Sequence, residues 1–385
     1  MKQIILRKRN ICLLLLPLGI MLNEWAKRSA FITEEVFAKR IYKVVSQGIG
    51  FLTGWIPFSL AEVVIIVGPL IIAFLLLRQI IRMICIKKVD VEGQEKVGQI
   101  RFQLFMTALQ NILCLISIIF FLYILLCGIN YHRYPISYYL GLSVENSSVV
   151  ELEGLLIELA DRASSLRDML TTEDTDGVYV LTMSERELGR EAKRAYQNLA
   201  KEYEIFAGSY PSPKPVFFSK WMSNTQITGV FTCWTMEANV NIDISPYSIG
   251  STMCHELAHL HGFMREEEAN YISYIACLAS DSVDLQDSGT MLALIYTGNA
   301  LYRKDSERYF EVYRNHYSEA VVRDLVANNK YWDKFKDTKV AETAEKVNDT
   351  YLKVNNQTDG THSYGRVVDL LLAEYRQRQE FIVEP

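Results

Sequence analysis

The chain has 385 residues, 50% of them apolar, and 45 acidic side chains against 40 basic ones give a formal net charge of −5. That length holds a membrane anchor and one sizeable globular domain, and the charge, with no basic stripe interleaved with aromatics, excludes a nucleic-acid partner. The seven cysteines form no CxxC pair, which excludes a thiolate zinc cluster and a dithiol redox motif.

Apolar residues crowd into the first third, in three stretches. The first begins at Ile11, behind Lys2, Arg7, Lys8 and Arg9, and no clean small-x-small cleavage site follows it, because Glu24 and Arg28 occupy the first position of the two alternatives. It reads as an uncleaved anchor over residues 11–26. Phe37, Ile41, Val44 and Val45 then recur at helical spacing between Trp25 and Trp55. They predict either an interfacial helix on the outer leaflet or a helix packed on the soluble domain.

The second and third stretches, 58–80 and 106–129, each reach the roughly 20 residues that a membrane-spanning helix needs. Pro69 in the second is tolerable in a membrane helix. Between them lie Arg78, Arg82, Lys87, Lys88, Lys96 and Arg101. Basic flanks stay inside, so this loop and the amino terminus are predicted to be cytoplasmic and everything after the third span extracytoplasmic.

Residues 134–385 read as a globular domain. Ser148 opens a helix through Leu170 with Leu152, Leu155, Leu156 and Leu159 on one face, and Ser184 with Glu187 forms a capping box for a second helix. Strand patterning follows at Pro215–Ser219, Gly229–Trp234 and Ala238–Ile244, the last two as an antiparallel hairpin turning through Thr235, Met236 and Glu237. Beyond Pro246, the segments 250–261, 266–281, 286–302, 306–317, 319–328, 338–354 and 364–379 all read as helices. A few strands followed by many helices predict an α+β fold, mainly helical with a small antiparallel sheet.

The chemistry concentrates in residues 254–270. His255 and His259 stand four apart, so a helix projects both imidazoles from one face, one turn apart, close enough to share a zinc ion. Glu256 sits beside the first of them, placed as general base for an attacking water; this is the HExxH pattern of zinc peptidases. A third protein ligand is required, and Glu266, Glu267 and Glu268 all follow at once, although acids also favour a helix amino terminus for its dipole. His261 points away from the ligand face and reads as an exposed or packing histidine; His132, His316 and His362 lack ligand spacing. The hairpin is either an ordinary core hairpin or the edge along which substrate adds as a strand, at Ala238–Asp243 or Gly229–Cys233. Near the carboxyl end, Tyr364 or Arg366 would either stabilise an oxyanion or belong to a helix cap.

Several segments carry a family resemblance together: Gly54–Ser59, Ile227–Val230, Glu237–Asn241, His255–Asn270, Val347–Lys353 and Ser363–Gly365. Over nearly its whole length the chain resembles a bacterial membrane family known as domain of unknown function 3810, which is similar to zincin peptidases at the HExxH block. The stretch Glu266-x-x-Ala269-Asn270 also resembles the Glu-x-x-x-Asp/Asn pattern of glutamate-type zincins. That resemblance implies Glu266 as the third zinc ligand, Asn270 as a hydrogen-bond partner of a ligating imidazole, and a zincin-like domain over residues 134–385. The expected function is a membrane-anchored zinc metallopeptidase that cleaves peptide or protein substrates beside the lipid bilayer. The alternatives are a non-catalytic scaffold with a structural or vestigial zinc site, and a zinc hydrolase of a non-peptide envelope bond.

Overall fold

The computed structural model describes residues 8–85, 94–355 and 366–383. The chain opens on a 3-10 turn, Lys8–Leu14, which runs into α1 (Leu15–Ala26). A second helical stretch follows: Ala30–Ile32, a π-helical Thr33–Tyr42 and α2 (Lys43–Gly54). Next come two long helices, α3 (Leu60–Ile84) and α4 (Gln94–Leu126).

Two segments, Leu60–Ile84 and Val97–Leu126, with mean hydropathies of 2.8 and 2.5, are long and apolar enough to cross a membrane. Within α3 only Ala61 is buried, so the helix shows apolar side chains almost all round with no protein over them. A bilayer would cover such a surface; water would not. The spans expected at 58–80 and 106–129 thus correspond to longer helices, α3 continuing to Ile84 and the apolar part of α4 starting at Val97. The first stretch, Ile11–Ala26, is a shorter apolar helix. It packs along α4, where a Cβ on Gly19 would lie 3.2 Å from the Phe120 ring. Of the basic residues used to orient the chain, Lys2, Arg7, Lys87 and Lys88 lie outside the described residues.

The stretch from Ala30 to Gly54 packs on the globular part through one side of its surface. Phe37 and Tyr42 are buried, whereas Ile41, Val44 and Val45 remain exposed. The Tyr42 hydroxyl donates to the His259 and Leu260 carbonyls at 3.3 and 3.2 Å, satisfying acceptors that a helix end leaves over. Buried Arg133 makes a two-pronged pair with buried Glu34, at 2.8 and 3.0 Å, and donates to the His261 carbonyl at 3.1 Å.

The globular part begins with α5 (Val149–Met169) and α6 (Glu185–Glu202), each opened by the expected capping box, Ser148 with Glu151 and Ser184 with Glu187. Leu152, Leu155, Leu156 and Leu159 are all buried in the main core. The sheet has three strands, β1 (Lys214–Pro215), β2 (Gly229–Thr232) and β3 (Glu237–Val240), in the order β1-β3-β2. It is mixed rather than antiparallel, because β1 pairs with β3 in parallel while β2 pairs with it antiparallel. The expected run Pro215–Ser219 is strand only at Pro215; the Val216 amide still donates to the Val240 carbonyl at 2.9 Å, and helix Ser219–Asn224 follows. The hairpin turns through residues 233–236, with Met236 in the left-handed region at φ 48°.

Seven helices complete the described chain: α7 (Pro246–Leu260), α8 (Glu266–Leu278), α9 (Val283–Lys304), α10 (Ser306–His316), α11 (Glu319–Trp332), α12 (Lys339–Val354) and α13 (Val367–Val383). The fold is therefore mostly helical with a small sheet, and α9 packs against α5, α7 and α8.

One buried ion pair fastens the sheet to the head of α3. The Lys214 ammonium lies 2.5 Å from a Glu237 carboxylate oxygen and also donates to the Thr53 and Phe58 carbonyls at 2.9 and 3.1 Å. Glu237 in turn accepts from the Leu60 and Ala61 amides at 3.1 and 2.8 Å, where the helix presents unpaired N–H groups. Lys214→Ala leaves a buried carboxylate without its cation, and the expected loss is about 3 kcal/mol. A lowered thermal midpoint of the full chain in detergent checks this; an unchanged midpoint refutes it.

Candidate metal centre

Pro246 starts α7 at a position where its missing amide hydrogen costs nothing. Gly262 ends the turn after the helix at φ +89°, and a Cβ there would lie 2.7 Å from an Arg133 guanidinium nitrogen. The chain reverses over Phe263 and Met264, and α8 begins at Glu266. This short return brings the first turn of α8 back over the last two turns of α7.

In that arrangement the His255 Nε2 lies 3.2 Å from one oxygen of Glu266, and the His259 Nε2 lies 3.7 Å from the other. One ligand atom from each of the three residues falls within 4.8 Å of the others. The far side of each ring is also held. His259 Nδ1 faces the Phe263 carbonyl at 2.8 Å, and a carbonyl only accepts, so the proton sits on Nδ1 and the Nε2 lone pair faces Glu266. His255 Nδ1 lies 2.9 Å from the Asn270 Oδ1, and the Asn270 amide nitrogen donates to the Tyr296 hydroxyl at 3.3 Å, which sets the same tautomer. Two lone pairs aimed at a carboxylate repel unless a cation or a proton lies between them. Two imidazoles and one carboxylate form a donor set that suits a divalent transition metal.

Electrostatics sharpen the picture. Burial pulls His255 down, but the hydrogen bond and charge of Glu266, with the charge of Glu256, outweigh it and raise its pKa. Burial lowers His259 to about 4, which favours the neutral form that a metal ligand would need. Glu256 is pushed up to about 8, by burial first, against the opposing charge of His255. One of its oxygens is buried and has no hydrogen-bond partner.

The three acids of α8 separate cleanly. Glu266 faces the imidazoles; Glu267 pairs with Arg366 at 3.1 Å; Glu268 accepts from Arg265 at 2.6 Å and from the Ile136 amide at 3.0 Å. His261 is buried, its Nδ1 2.8 Å from the Leu257 carbonyl and its ring stacked on Tyr196 at 4.5 Å, so it packs rather than binds. His132 contacts Asn23 and His316 contacts Asp161. His362 and Tyr364 lie outside the described residues.

A cavity of about 1560 Å³ opens over His255, Glu256, His259 and Glu266, with β2 along one wall. Of the two expected substrate edges, Ala238–Asp243 is excluded because β3 is the central strand; the edge is β2. The Asn241 amide donates to the Thr228 carbonyl across the ladder at 2.8 Å. Ladder bonds alternate, so the main-chain groups of Gly229 and Phe231 face away from β3.

Two residues at this site have placements that the sequence reading did not foresee. Gly229 lets Glu256 stand against the strand: a Cβ there would lie 2.4 Å from a Glu256 oxygen and 2.8 Å from Thr252 Cγ2. A glycine inside a strand pattern signals close approach, without saying to what. Tyr296 lines the same cavity from α9, and its hydroxyl pKa is raised to about 12 by burial and by Glu266. No motif spacing links a tyrosine on α9 to a histidine pair on α7.

No curated protein and no solved structure matches this sequence. A family model does, over residues 37–372, which takes in α3, α4, the sheet and the whole His255–Asn270 block. The chain belongs to the family described as "Protein of unknown function (DUF3810)".

Proposed function

We propose that this chain is a zinc metallopeptidase of the bacterial cell membrane, anchored by three amino-terminal spans. Its amino terminus would be cytoplasmic and its zincin-like domain, residues 134–385, would act outside on peptide or protein substrates. The observation that carries the reading is the convergence of His255, His259 and Glu266 on one point, with an unpartnered Glu256 oxygen buried beside them.

His255, His259 and Glu266 would hold the ion. Zinc bound there supplies Lewis acidity, lowering the pKa of water to about 7 and polarising a carbonyl. Glu256 takes the proton of the attacking water and returns it to the departing amine. A cation held beside Glu256 would oppose the upward push of burial and favour the carboxylate that the base role requires. Asn270 and the Phe263 carbonyl fix the imidazole tautomers. Tyr296 accepts from Asn270, which leaves its own hydrogen to donate into the cavity, toward an oxyanion. The outward groups of Gly229 and Phe231 align substrate as an added strand.

A structural zinc site closes with a fourth protein ligand. Among the described residues the cluster offers three, beside an open cavity, and this favours catalysis over a scaffold role. The test is metal analysis of the full chain in detergent, with cleavage of a peptide library before and after 1,10-phenanthroline. About one zinc per chain and chelator-sensitive cleavage are expected. Cleavage that survives complete zinc removal refutes the mechanism, and a chain that binds no zinc refutes the site.

A further inference from the structure

The catalytic cavity is not walled by the globular part alone. Ala61, Val64 and Ile65 from the first turns of α3 line it, as do Ile119 and Tyr123 from the last turns of α4. The far ends of the same two helices are joined instead, Gln79 donating to the Leu104 carbonyl at 3.1 Å and Arg101 to the Ile84 carbonyl at 3.4 Å. The cavity therefore reaches down between the near ends of two helices whose exposed apolar surface calls for lipid.

The height of the lipid boundary is marked independently. The Phe217 and Phe218 amides donate to Glu62 at the head of α3, at 3.1 and 2.7 Å. Their neighbourhood shows large aromatics to the outside: Phe217 is 85% exposed, Trp221 76% and, at the end of α2, Trp55 76%. Aromatic rings collect at the headgroup level of a bilayer. Edge strand β2 and the walls from α3 and α4 open into one cavity, and Ala61 in its wall adjoins Glu62, which holds this aromatic segment.

We propose that the substrate is a polypeptide held in the bilayer by its own apolar segment, entering between α3 and α4 and cut just outside the lipid. This rests on the zinc-peptidase and membrane readings above. The apolar segment would lie against Val64, Ile65 and Ile119, and the chain emerging from it would run along β2 past Glu256. A peptide free in water brings no long apolar segment to lie along that wall; an anchored one does.

The test uses the full chain with zinc in phosphatidylethanolamine–phosphatidylglycerol vesicles. One substrate pool carries a randomised stretch joined directly to an apolar segment of about 20 residues. A second inserts a long flexible hydrophilic spacer between the two, keeping the same surface concentration. A third is the randomised stretch free in solution. Directly joined substrates are expected to be cleaved about tenfold faster than spaced ones, with cuts clustered beside the apolar segment and abolished by Glu256→Gln. Equal rates with and without the spacer, or cleavage of the free peptides alone, overturn the anchored-substrate proposal and leave peptide hydrolysis standing. No Glu256-dependent cleavage in any pool overturns the peptidase reading and this proposal together.

Discussion

Glu256→Gln is expected to reduce peptide cleavage by about a thousandfold while zinc content stays at the wild-type level. The side chain keeps its volume, so the close approach to Gly229 is preserved. What disappears is a group that can accept a proton. Glu256 is not among the three residues that converge as a donor set, so its replacement leaves His255, His259 and Glu266 in place. The paired readout separates roles: lost cleavage with retained zinc identifies the base, whereas lost zinc would mean that Glu256 belongs to the metal shell. Full activity in the variant would remove Glu256 from the mechanism altogether. Gly229→Ala offers the same loss by another route. Its methyl group would occupy the space of the Glu256 carboxylate, and the carboxylate would have to move.

Local signals explain why much of this site was legible in the sequence. The i, i+4 spacing of His255 and His259 specifies one helix face whatever the surrounding fold, and α7 supplies that helix. Capping boxes at Ser148 and Ser184 are equally local, and both form. Sheet topology is not local. Whether β1 runs parallel or antiparallel to β3 depends on how helix Ser219–Asn224 and the intervening turns reverse the chain, and the alternation of apolar residues is blind to it. The choice between the two candidate edges stayed open for the same reason: Ala238–Asp243 and Gly229–Cys233 pattern alike, and only the placement of β1 against β3 makes β2 the edge. Tyr296 was invisible because α9 reaches the site through tertiary packing. The Lys214–Glu237 pair was hidden too, since it joins residues 23 apart across the sheet to the head of a distant helix.

Glu266→Ala is expected to weaken zinc binding by more than about a hundredfold, since losing even an outer hydrogen-bond partner of a ligand costs 10- to 100-fold. The neighbouring acids make this sharp, because each of the three has a different job in the structure. Glu267 pairs with Arg366, which is partly exposed, so Glu267→Ala should change stability by less than about 1 kcal/mol and leave zinc bound. Glu268 is buried and satisfies both the Arg265 guanidinium and the Ile136 amide. Glu268→Ala should cost about 1–3 kcal/mol by orphaning those donors, again with zinc retained. Competition with a chromogenic chelator measures affinity and thermal unfolding measures stability, so the three variants report along two independent axes. A glutamate that merely favours the start of α8 would move the second axis and not the first. If Glu267→Ala or Glu268→Ala released the metal while Glu266→Ala kept it, the chelating triad drawn from the geometry would be wrong, and with it the direction in which the imidazole lone pairs point.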